Sequence, residues 1–391
     1  MDIEKIRKET PGLAHGIHLM ACGSALAPLP VVDAVMAYLD LEAKVGGYEA
    51  HAHEATMLDE TYSSVARLIG AKPREIAILE NATAAWCQAF YALPLQAGDR
   101  ILTCQAEYAA NYVAFLQRQK RDGIEIDIVP SDETGALDIT ALESMITEKT
   151  ALIAITWVPT NGGLVNPAAA VGAIAKKHGV PYLLDACQAV GQMPVDVEAL
   201  NCDFLSATGR KFLRGPRGIG FLYIKEKWLE TLEPVMLDHF GAPWVSRDQY
   251  ALRADARRFE NWENSYALRA GLKVACDYAL AIGLEAIEAR VTELSDYARA
   301  RISALKGGQV HDIGAKQCAI VSFTIEGLDP RPTVALLRQQ GIAIGASNPE
   351  STRLDAEERK LPVLLRMAPH YYNNKAEIDT ALAALEALSQ D

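Results

Sequence analysis

The stretch PYLLDACQAVGQMPVDVEALNCDFLSATGRKFLRGPRGIGFLYI, from Pro181 to Ile224, indicates the fold of this chain. It contains three short apolar runs, which are Tyr182–Leu184, Phe204–Ser206 and Gly220–Ile224. Turn-forming residues bound each run, a pattern that is typical of buried strands. The first run is followed by Asp185, and the second is followed within a few residues by Lys211. Because ligands bind in open α/β sheets where the strands end, we expect this acid and this lysine to share a site.

Short apolar runs alternate with helical patterns on the N-terminal side of this stretch. The apolar runs are residues 76–79, 101–104, 124–129 and 151–157, and the helical patterns are 54–69, 112–121, 138–146 and 168–178. The alternation predicts an α/β fold with a mostly parallel, doubly wound sheet. We expect a large domain over residues 16–256 and a smaller α+β domain formed by residues 1–15 and 257–391. One long helix over residues 265–305 is predicted to open the C-terminal part of the small domain.

Composition excludes several classes of partner. The 391 residues carry a formal net charge of −12 at pH 7, which argues against nucleic acid or an anionic membrane as a partner. No apolar run is expected to be long enough to span a bilayer. The charged start, MDIEK, lacks the apolar core of a signal peptide, so we expect a cytoplasmic protein.

The seven cysteines are scattered, and no C-x-x-C pair occurs. This spacing favours reduced thiols over a disulfide framework or a zinc site. His51 and His53 form a His-x-His pair in a segment that two glycines open, and we expect this segment to be a loop. No third ligand is evident near them, so we predict no metal.

The order of residues in the opening stretch resembles a known family. Asp185 is followed by Gln188, and Thr208-x-x-Lys211 precedes a bend rich in glycine and proline. This order resembles the fold-type I pyridoxal-phosphate enzymes, and above all the class V aminotransferase family. That family includes cysteine desulfurases, selenocysteine lyases, isopenicillin N epimerase-like proteins and hercynylcysteine sulfoxide lyases. The resemblance covers nearly the whole chain and implies a homodimer with shared active sites.

The resemblance implies a set of residues that hold pyridoxal 5′-phosphate. Lys211 would form the Schiff base, Asp185 would keep the ring nitrogen protonated, and Gln188 would contact the 3′-oxygen of the ring. Thr208 and Arg210 would bind the phosphate. Four further residues are implied to contact the cofactor elsewhere: Ala82 and Thr83 at a helix start that suits a phosphate, Tyr108 stacked on the ring, and Thr160 near the 3′-oxygen.

The resemblance also implies the residues that bind the substrate. Arg366 matches the family arginine that binds the α-carboxylate through paired hydrogen bonds. Either Thr160 or Asn161 would take the role of a family asparagine that contacts the 3′-oxygen or the substrate carboxylate. Ser24 lies in a turn that passes close to the substrate in this family, and Arg353 is a candidate for holding a second acidic group.

Two departures from the desulfurases decide the expected reaction. Tyr108 stands where desulfurases carry a histidine, and the segment 345–353 has no cysteine where desulfurases carry their nucleophile. Cys318 is the nearest cysteine, in an apolar strand. We therefore expect a C–S β-lyase that acts on a sulfoxide or conjugate of cysteine and yields pyruvate and ammonia. A desulfurase or selenocysteine lyase, an aminotransferase or epimerase, and a non-catalytic cofactor-binding regulator are the alternatives.

Overall fold

The structure is a computed structural model that describes residues 1–390. Its strands are β1 (Ile17–His18), β2 (Ile76–Leu79), β3 (Arg100–Cys104), β4 (Glu125–Val129), β5 (Thr150–Thr156), β6 (Tyr182–Asp185), β7 (Phe204–Thr208), β8 (Gly220–Ile224), β9 (Trp244–Ser246), β10 (Gln249–Tyr250), β11 (Gly308–Val310), β12 (Val321–Ile325), β13 (Ile342–Ala343), β14 (Gly345–Ser347) and β15 (Leu364–Met367).

The α-helices are α1 (Ile3–Lys8), α2 (Ala21–Ser24), α3 (Leu29–Val45), α4 (Gly47–His53), α5 (Ala55–Ile69), α6 (Ala82–Ala92), α7 (Ala109–Asp122), α8 (Ile139–Met145), α9 (Ala168–His178), α10 (Val197–Leu200), α11 (Tyr266–Ile282), α12 (Leu284–Ala304), α13 (Pro330–Gln339), α14 (Arg353–Glu358) and α15 (Lys375–Leu388). Short 3₁₀ helices, at Pro349–Thr352 among other places, complete the chain.

A seven-stranded sheet forms the centre of the molecule, in the order β2-β8-β7-β6-β5-β3-β4. Strands β7, β6, β5, β3 and β4 are parallel, whereas β8 pairs antiparallel with both β7 and β2. The predicted mostly parallel sheet is therefore confirmed. Every residue of β6 and β7 is buried, because helices cover both faces of the sheet. The C-terminal ends of these two strands place Asp185 and Thr208 at the same edge.

The C-terminal part of the chain forms a second sheet of four antiparallel strands, in the order β11-β12-β15-β14. Helices α12, α13 and α15 pack against it around a separate core that includes Phe323, Leu365 and Leu382. Strand β1 pairs with β13, so the N-terminal segment joins this region. An α+β unit beside the doubly wound sheet agrees with the predicted architecture.

The long helix that we predicted over residues 265–305 is two helices. Gly283, at φ +92°, ends α11 and begins α12. The positive φ suits glycine and breaks the helical backbone. Helix α11 contributes Leu272 and Cys276 to the core of the seven-stranded sheet, whereas α12 contributes Ile287 to that core and Leu294 to the core of the small sheet. The division of the chain at residue 256 remains a prediction.

Two other expectations were wrong. The segment with His51 and His53 is helical, since α4 begins at Gly47 directly after the break at Gly46. The range Ala21–Val45 is long and apolar enough, by length and composition alone, to cross a membrane. A core helix of a globular protein passes the same test, and α3 packs Val31 and Tyr38 into the interior.

Candidate active site

The carboxylate of Asp185 lies 5% exposed at the end of β6, within a buried polar network. Its Oδ1 accepts from the backbone N–H of Cys187 at 2.9 Å, and its Oδ2 accepts from Nδ2 of Asn111 at 3.0 Å. Asn111 is in the first turn of α7 and also donates to Oε1 of Glu107 at 2.8 Å. The bonds from Cys187 and Asn111 hold the Asp185 carboxylate in one orientation. A carboxylate that faces a protonated ring nitrogen requires such a fixed orientation.

Glu107 supports this network from the end of β3. It accepts from the backbone N–H of Thr156 at 3.0 Å, from Oγ1 of Thr103 at 2.9 Å and from the backbone N–H of Tyr108 at 2.9 Å. Burial raises the pKa of Glu107, and the nearby charge of Asp185 acts in the same direction. Asn111 and Thr156 were not among the site residues predicted from sequence. Only their spatial closeness to Asp185 identifies them.

Lys211 lies on the turn after β7, and its Nζ is 6.0 Å from the centre of the Tyr108 ring. The turn closes on itself, since the N–H of Gly215 donates to the carbonyl of Gly209 at 2.7 Å. Burial raises the pKa of the Tyr108 phenol, with Asp185 adding to the effect. An aromatic face and a primary amine therefore border the same space, and the roles of Tyr108, Lys211 and Asp185 toward a cofactor stay predictions.

Arg214 holds the Lys211 turn in place and was missed at the sequence level. It is 1% exposed and has a φ of +62°. Its guanidinium donates to the carbonyl of Leu26 at 2.7 Å, to Oγ1 of Thr10 at 2.7 Å and to Oη of Tyr371 at 3.0 Å. Arg214 thus joins the N-terminal segment and the C-terminal region to the turn that carries Lys211.

The start of α6 forms another wall of the candidate site. Asn81 caps this helix by accepting from the backbone N–H of Ala84 at 2.8 Å, so Ala82 and Thr83 form its first turn. The first N–H groups of a helix have no partner within it and attract anions. A Cβ at Gly220 would lie 3.0 Å from the nitrogen of Ala82, so glycine lets β8 pass directly beneath. Thr208, 6% exposed, ends the neighbouring strand β7.

Gln188, Thr160 and Arg366 form a chain of contacts between the two sheets. Nε2 of Gln188 donates to the carbonyl of Cys22 at 3.1 Å and to Oγ1 of Thr160 at 3.3 Å. Nη1 of Arg366 donates to the carbonyl of Thr160 at 2.6 Å and to its Oγ1 at 2.8 Å. Thr160 therefore links the large sheet to β15.

The remaining predicted substrate residues differ in their surroundings. Both polar atoms of the Asn161 side chain are occupied, because Nδ2 donates to the carbonyl of Asn348 at 2.8 Å and Oδ1 accepts from Oγ of Ser347 at 2.5 Å. Arg353 is exposed and pairs with Glu357 at 2.9 Å along α14. Ser24 ends α2, with its backbone N–H bonded to the carbonyl of Met20 at 3.1 Å.

Arg210 reaches the segment that contains Ser24. Its guanidinium donates to the carbonyl of Gly23, and its own carbonyl accepts from the N–H of Ala25 at 2.9 Å. The side chain is half-buried, and it has no ion-pair partner among residues 1–390. Desolvation lowers the pKa of Arg210, and the charge of Arg217 lowers it further.

Cys318, the cysteine nearest in sequence to the segment 345–353, and Cys187, beside Asp185, both lie in surroundings that disfavour a thiolate. Cys318 is 2% exposed, and burial raises its pKa to about 12. Cys187 is two residues beyond Asp185, and burial together with that carboxylate raises its pKa. Thiolates, not thiols, are the reactive form.

Two buried polar atoms of the residues that link the two sheets lack a protein partner: Oε1 of Gln188 and Nε of Arg366. Buried polar atoms are nearly always hydrogen-bonded in native structures, so these two mark a place for a polar ligand. Together with the amine of Lys211, the carboxylate of Asp185 and the start of α6, they fit a small phosphorylated aldehyde. The donor set therefore suits pyridoxal 5′-phosphate.

Comparison with known proteins decides the family. The sequence model described as Aminotransferase class-V matches residues 17–381. The chain belongs to the class V aminotransferase family. A probable cysteine desulfurase of Methanothermobacter thermautotrophicus is 30% identical over 397 residues, with 100% of this chain and 98% of the relative covered. This class V enzyme is thus similar to cysteine desulfurases along its whole length.

Solved structures agree with this assignment. The apo cysteine desulfurase of Thermococcus onnurineus superposes with a TM-score of 0.91 at 28% identity, over 99% of this chain and 98% of that one. A C-DES variant with glycine covalently linked to its pyridoxal-phosphate cofactor has the same fold, with a TM-score of 0.87 at 24% identity, over 97% and 98% of the two chains. The class V family depends on pyridoxal 5′-phosphate, which is the cofactor of this enzyme.

Proposed function

We propose that this class V enzyme cleaves the C–S bond of a cysteine derivative, either a sulfoxide or a conjugate, by β-elimination, and that it yields pyruvate and ammonia. The observation that carries the proposal is that the segment 345–353, where desulfurases carry their nucleophile, contains no cysteine. A desulfurase needs a reactive thiol to accept sulfur from the substrate. The segment 345–353 has none, and burial keeps the thiols of Cys318 and Cys187 protonated.

The cofactor, when bound, would supply an electron sink. Lys211 takes the proton from Cα, and its turn, held by Arg214, keeps the amine in reach. Arg366 binds the α-carboxylate with donors that Thr160 leaves free, and Asp185, supported by Asn111, would hold the ring nitrogen of the cofactor. The Tyr108 phenol retains its proton because its pKa is raised, so it offers a ring face rather than a base.

The bond changes balance as an elimination. The Cβ–S bond breaks, and the sulfur fragment leaves with the electron pair and gains a proton. The released 2-aminoacrylate reacts with water to give pyruvate and ammonia. No step requires an oxidant, a reductant or a thiol from the enzyme.

A cysteine desulfurase is the second candidate, since the curated relatives bear that name. The products separate the two, because desulfuration of cysteine leaves alanine and a persulfide whereas β-elimination leaves pyruvate. The test is incubation of the purified holoenzyme with cysteine, cysteine conjugates, cysteine sulfoxides and aspartate, with assays for pyruvate and alanine. Pyruvate in stoichiometric amounts without an added keto acid supports the lyase. Alanine as the main product from cysteine would overturn it.

A homodimer and a cytoplasmic location remain predictions. Large aromatic side chains are exposed at Tyr48 (78%), Trp244 (75%) and Trp262 (45%), which is consistent with a surface that a second copy covers. Sedimentation equilibrium of the holoenzyme tests the dimer, and a single monomeric species at micromolar concentration would contradict it.

A further inference from the structure

The carboxylate of Asp312 is fully buried and accepts hydrogen bonds from three residues. Its Oδ1 accepts from the backbone N–H of Gly163 at 3.0 Å, and from the N–H and the Oγ of Ser322 at 2.9 Å and 2.6 Å. Its Oδ2 accepts from Nε of Arg299 at 2.8 Å. Gly163 lies in the turn after β5, whereas Ser322 belongs to β12 of the small sheet. One carboxylate therefore connects a turn of the large sheet to a strand of the small sheet.

Both of the segments that Asp312 holds adjoin Arg366. Ser322 is the residue of β12 that pairs directly with Arg366 of β15. Residues opposite each other in an antiparallel pair project their side chains from the same face of the sheet. The turn that contains Gly163 also contains Thr160, whose carbonyl and Oγ1 accept from Nη1 of Arg366 at 2.6 Å and 2.8 Å. Asp312 thus fixes both the strand opposite Arg366 and the turn that its guanidinium contacts.

Arg299 of α12 holds the Asp312 carboxylate in place. Its side chain is 11% exposed, and Nη2 donates to the carbonyls of Cys318 and Ile320 at 2.6 Å and 2.9 Å. Its charge compensates the buried carboxylate, which would otherwise be costly to bury. A Cβ at Gly163 would lie 2.5 Å from Nη2 of Arg299 and 3.0 Å from the carbonyl oxygen of Ile320. Glycine therefore allows the turn to approach this ion pair closely.

The direction of the Arg366 guanidinium matters because a carboxylate binds it through two parallel hydrogen bonds. An arginine side chain has many rotamers, and ordering it when the ligand binds would weaken the affinity. Contacts that order the side chain beforehand avoid this loss. The bonds of Arg366 to Thr160 are such contacts, and they depend on where the turn lies.

We propose that Asp312 is a positioning residue for Arg366. By holding the turn at Gly163 and the strand at Ser322, it orients the Arg366 guanidinium and so raises the affinity for the α-carboxylate of the substrate. This inference rests on the part of the proposed function that concerns Arg366 and an amino-acid substrate, and it does not depend on C–S cleavage.

A matched pair of ligands isolates the α-carboxylate contact. L-2-Aminobutyrate has no sulfur leaving group, so it binds without C–S cleavage, and propylamine is the same molecule without the carboxylate. The absorbance change of the bound cofactor gives both dissociation constants, and their ratio is the carboxylate preference. Asp312→Asn is expected to lower this preference about ten-fold and to retain the affinity for pyridoxal phosphate. Asp296→Asn, at the exposed carboxylate that also pairs with Arg299 at 3.0 Å, is the control and should keep the preference.

Combination with Arg366→Lys distinguishes positioning from a general structural role. If Asp312 acts through Arg366, the double variant has the carboxylate preference of Arg366→Lys alone, because changes that act through one group are not additive. Ser322→Ala removes only the Oγ donor to Asp312 and is the milder variant. It is expected to lower the preference about two-fold or more, and it decides the matter if Asp312→Asn does not fold.

Three outcomes would overturn the role of Asp312. The first is an unchanged enzyme that binds propylamine as tightly as L-2-aminobutyrate, which would remove the carboxylate contact itself. The second is a carboxylate preference that is the same in Asp312→Asn, or in Ser322→Ala where only that variant folds, as in the unchanged enzyme. The third is a loss in Asp312→Asn that adds in full to the loss in Arg366→Lys. If no cysteine derivative yields pyruvate but the preference falls as expected, the proposed lyase reaction fails and the role of Asp312 stands.

Discussion

Asn111 donates to Asp185 at 3.0 Å across 74 positions of sequence, and the same amide nitrogen donates to Glu107 at 2.8 Å. One amide therefore separates two buried carboxylates that would otherwise repel each other. Asn111 is 4% exposed, so both of these hydrogen bonds are shielded from solvent. This bond connects the first turn of α7 to the end of β6 and fixes the orientation of the Asp185 carboxylate.

Replacement of Asn111 by alanine is expected to weaken both folding and cofactor binding. Loss of its amide leaves two buried carboxylates short of a donor, which costs about 1–3 kcal/mol in the free energy of unfolding. Urea denaturation of the apoenzyme and titration with pyridoxal phosphate measure the two effects. Lys120→Ala, an exposed change on the same helix, is the control. Unchanged stability in Asn111→Ala would show that the bond contributes little.

Replacement of Lys211 by alanine is expected to abolish the covalent link to the cofactor. Borohydride reduction followed by mass spectrometry of peptides should label Lys211 in the unchanged enzyme and no residue in the variant. Product formation is expected to fall by about 10²–10⁴-fold or more, since the base at Cα is removed. Lys176→Ala, at an exposed position of α9, should retain the label and the activity. A label on another lysine of the unchanged enzyme would contradict the assignment.

Arg366→Lys is expected to raise KM about ten-fold or more, because a lysine cannot form paired hydrogen bonds to a carboxylate while also contacting Thr160. Affinity for pyridoxal phosphate should be unchanged, since the contacts of Arg366 are to the Thr160 loop and not to the start of α6. Steady-state kinetics and cofactor titration separate the two effects. A variant that loses cofactor affinity but keeps its KM would place Arg366 in another role.

Cys318→Ala is expected to keep its rate of pyruvate formation and to lose about 1 kcal/mol of stability, as small truncations of buried side chains do. The thiol is 2% exposed with a pKa of about 12, so it is protonated at neutral pH. Thermal unfolding and the pyruvate assay measure both quantities. A variant that folds but releases no sulfur product would require a persulfide on Cys318 and would favour the desulfurase.

His370 is expected to make the fold sensitive to acid. It is fully buried, its Nε2 lies 2.8 Å from the carbonyl of Phe212, and its Nδ1 accepts from the N–H of Tyr371 at 2.8 Å. Burial lowers its pKa well below 6.5, so the folded state disfavours the protonated ring. The stability from this residue is present above pH 6.5 and is lost as the pH falls toward the folded-state pKa.

The corresponding experiment compares unfolding free energies of the unchanged protein and His370→Gln between neutral and mildly acidic pH. The unchanged protein should lose up to about 1.4 kcal/mol more per pH unit than the variant below the unfolded-state pKa. His53→Gln, at an exposed histidine, serves as the control. Parallel pH profiles for the unchanged protein and His370→Gln would exclude this residue as the acid-sensitive group.

The positions of Asp185, Thr208 and Lys211 could be predicted from the sequence because they depend on local patterns. Short apolar runs bounded by turn residues place strand ends, and strand ends of a parallel sheet meet at one edge. The helix start at Ala82 and the exact span Ala168–His178 follow from the same kind of signal. The break at Gly283 was missed, since one glycine within a helical pattern does not by itself reveal a positive φ.

The sequence by itself therefore determined the fold class and the residues at the strand ends, and its resemblance to a known family implied the cofactor. Only the tertiary structure decided the contacts of the polar side chains. It places Asn111 beside Asp185, and it bonds the side chain of Asn161 to Ser347 and Asn348. It also pairs Arg353 with Glu357 at the surface and bonds Arg210 to the carbonyl of Gly23. The physical reason is the separation in sequence between the residues that interact. Strand and helix patterns arise from neighbours in the chain, whereas the direction of a long polar side chain depends on donors and acceptors that the fold brings from distant positions.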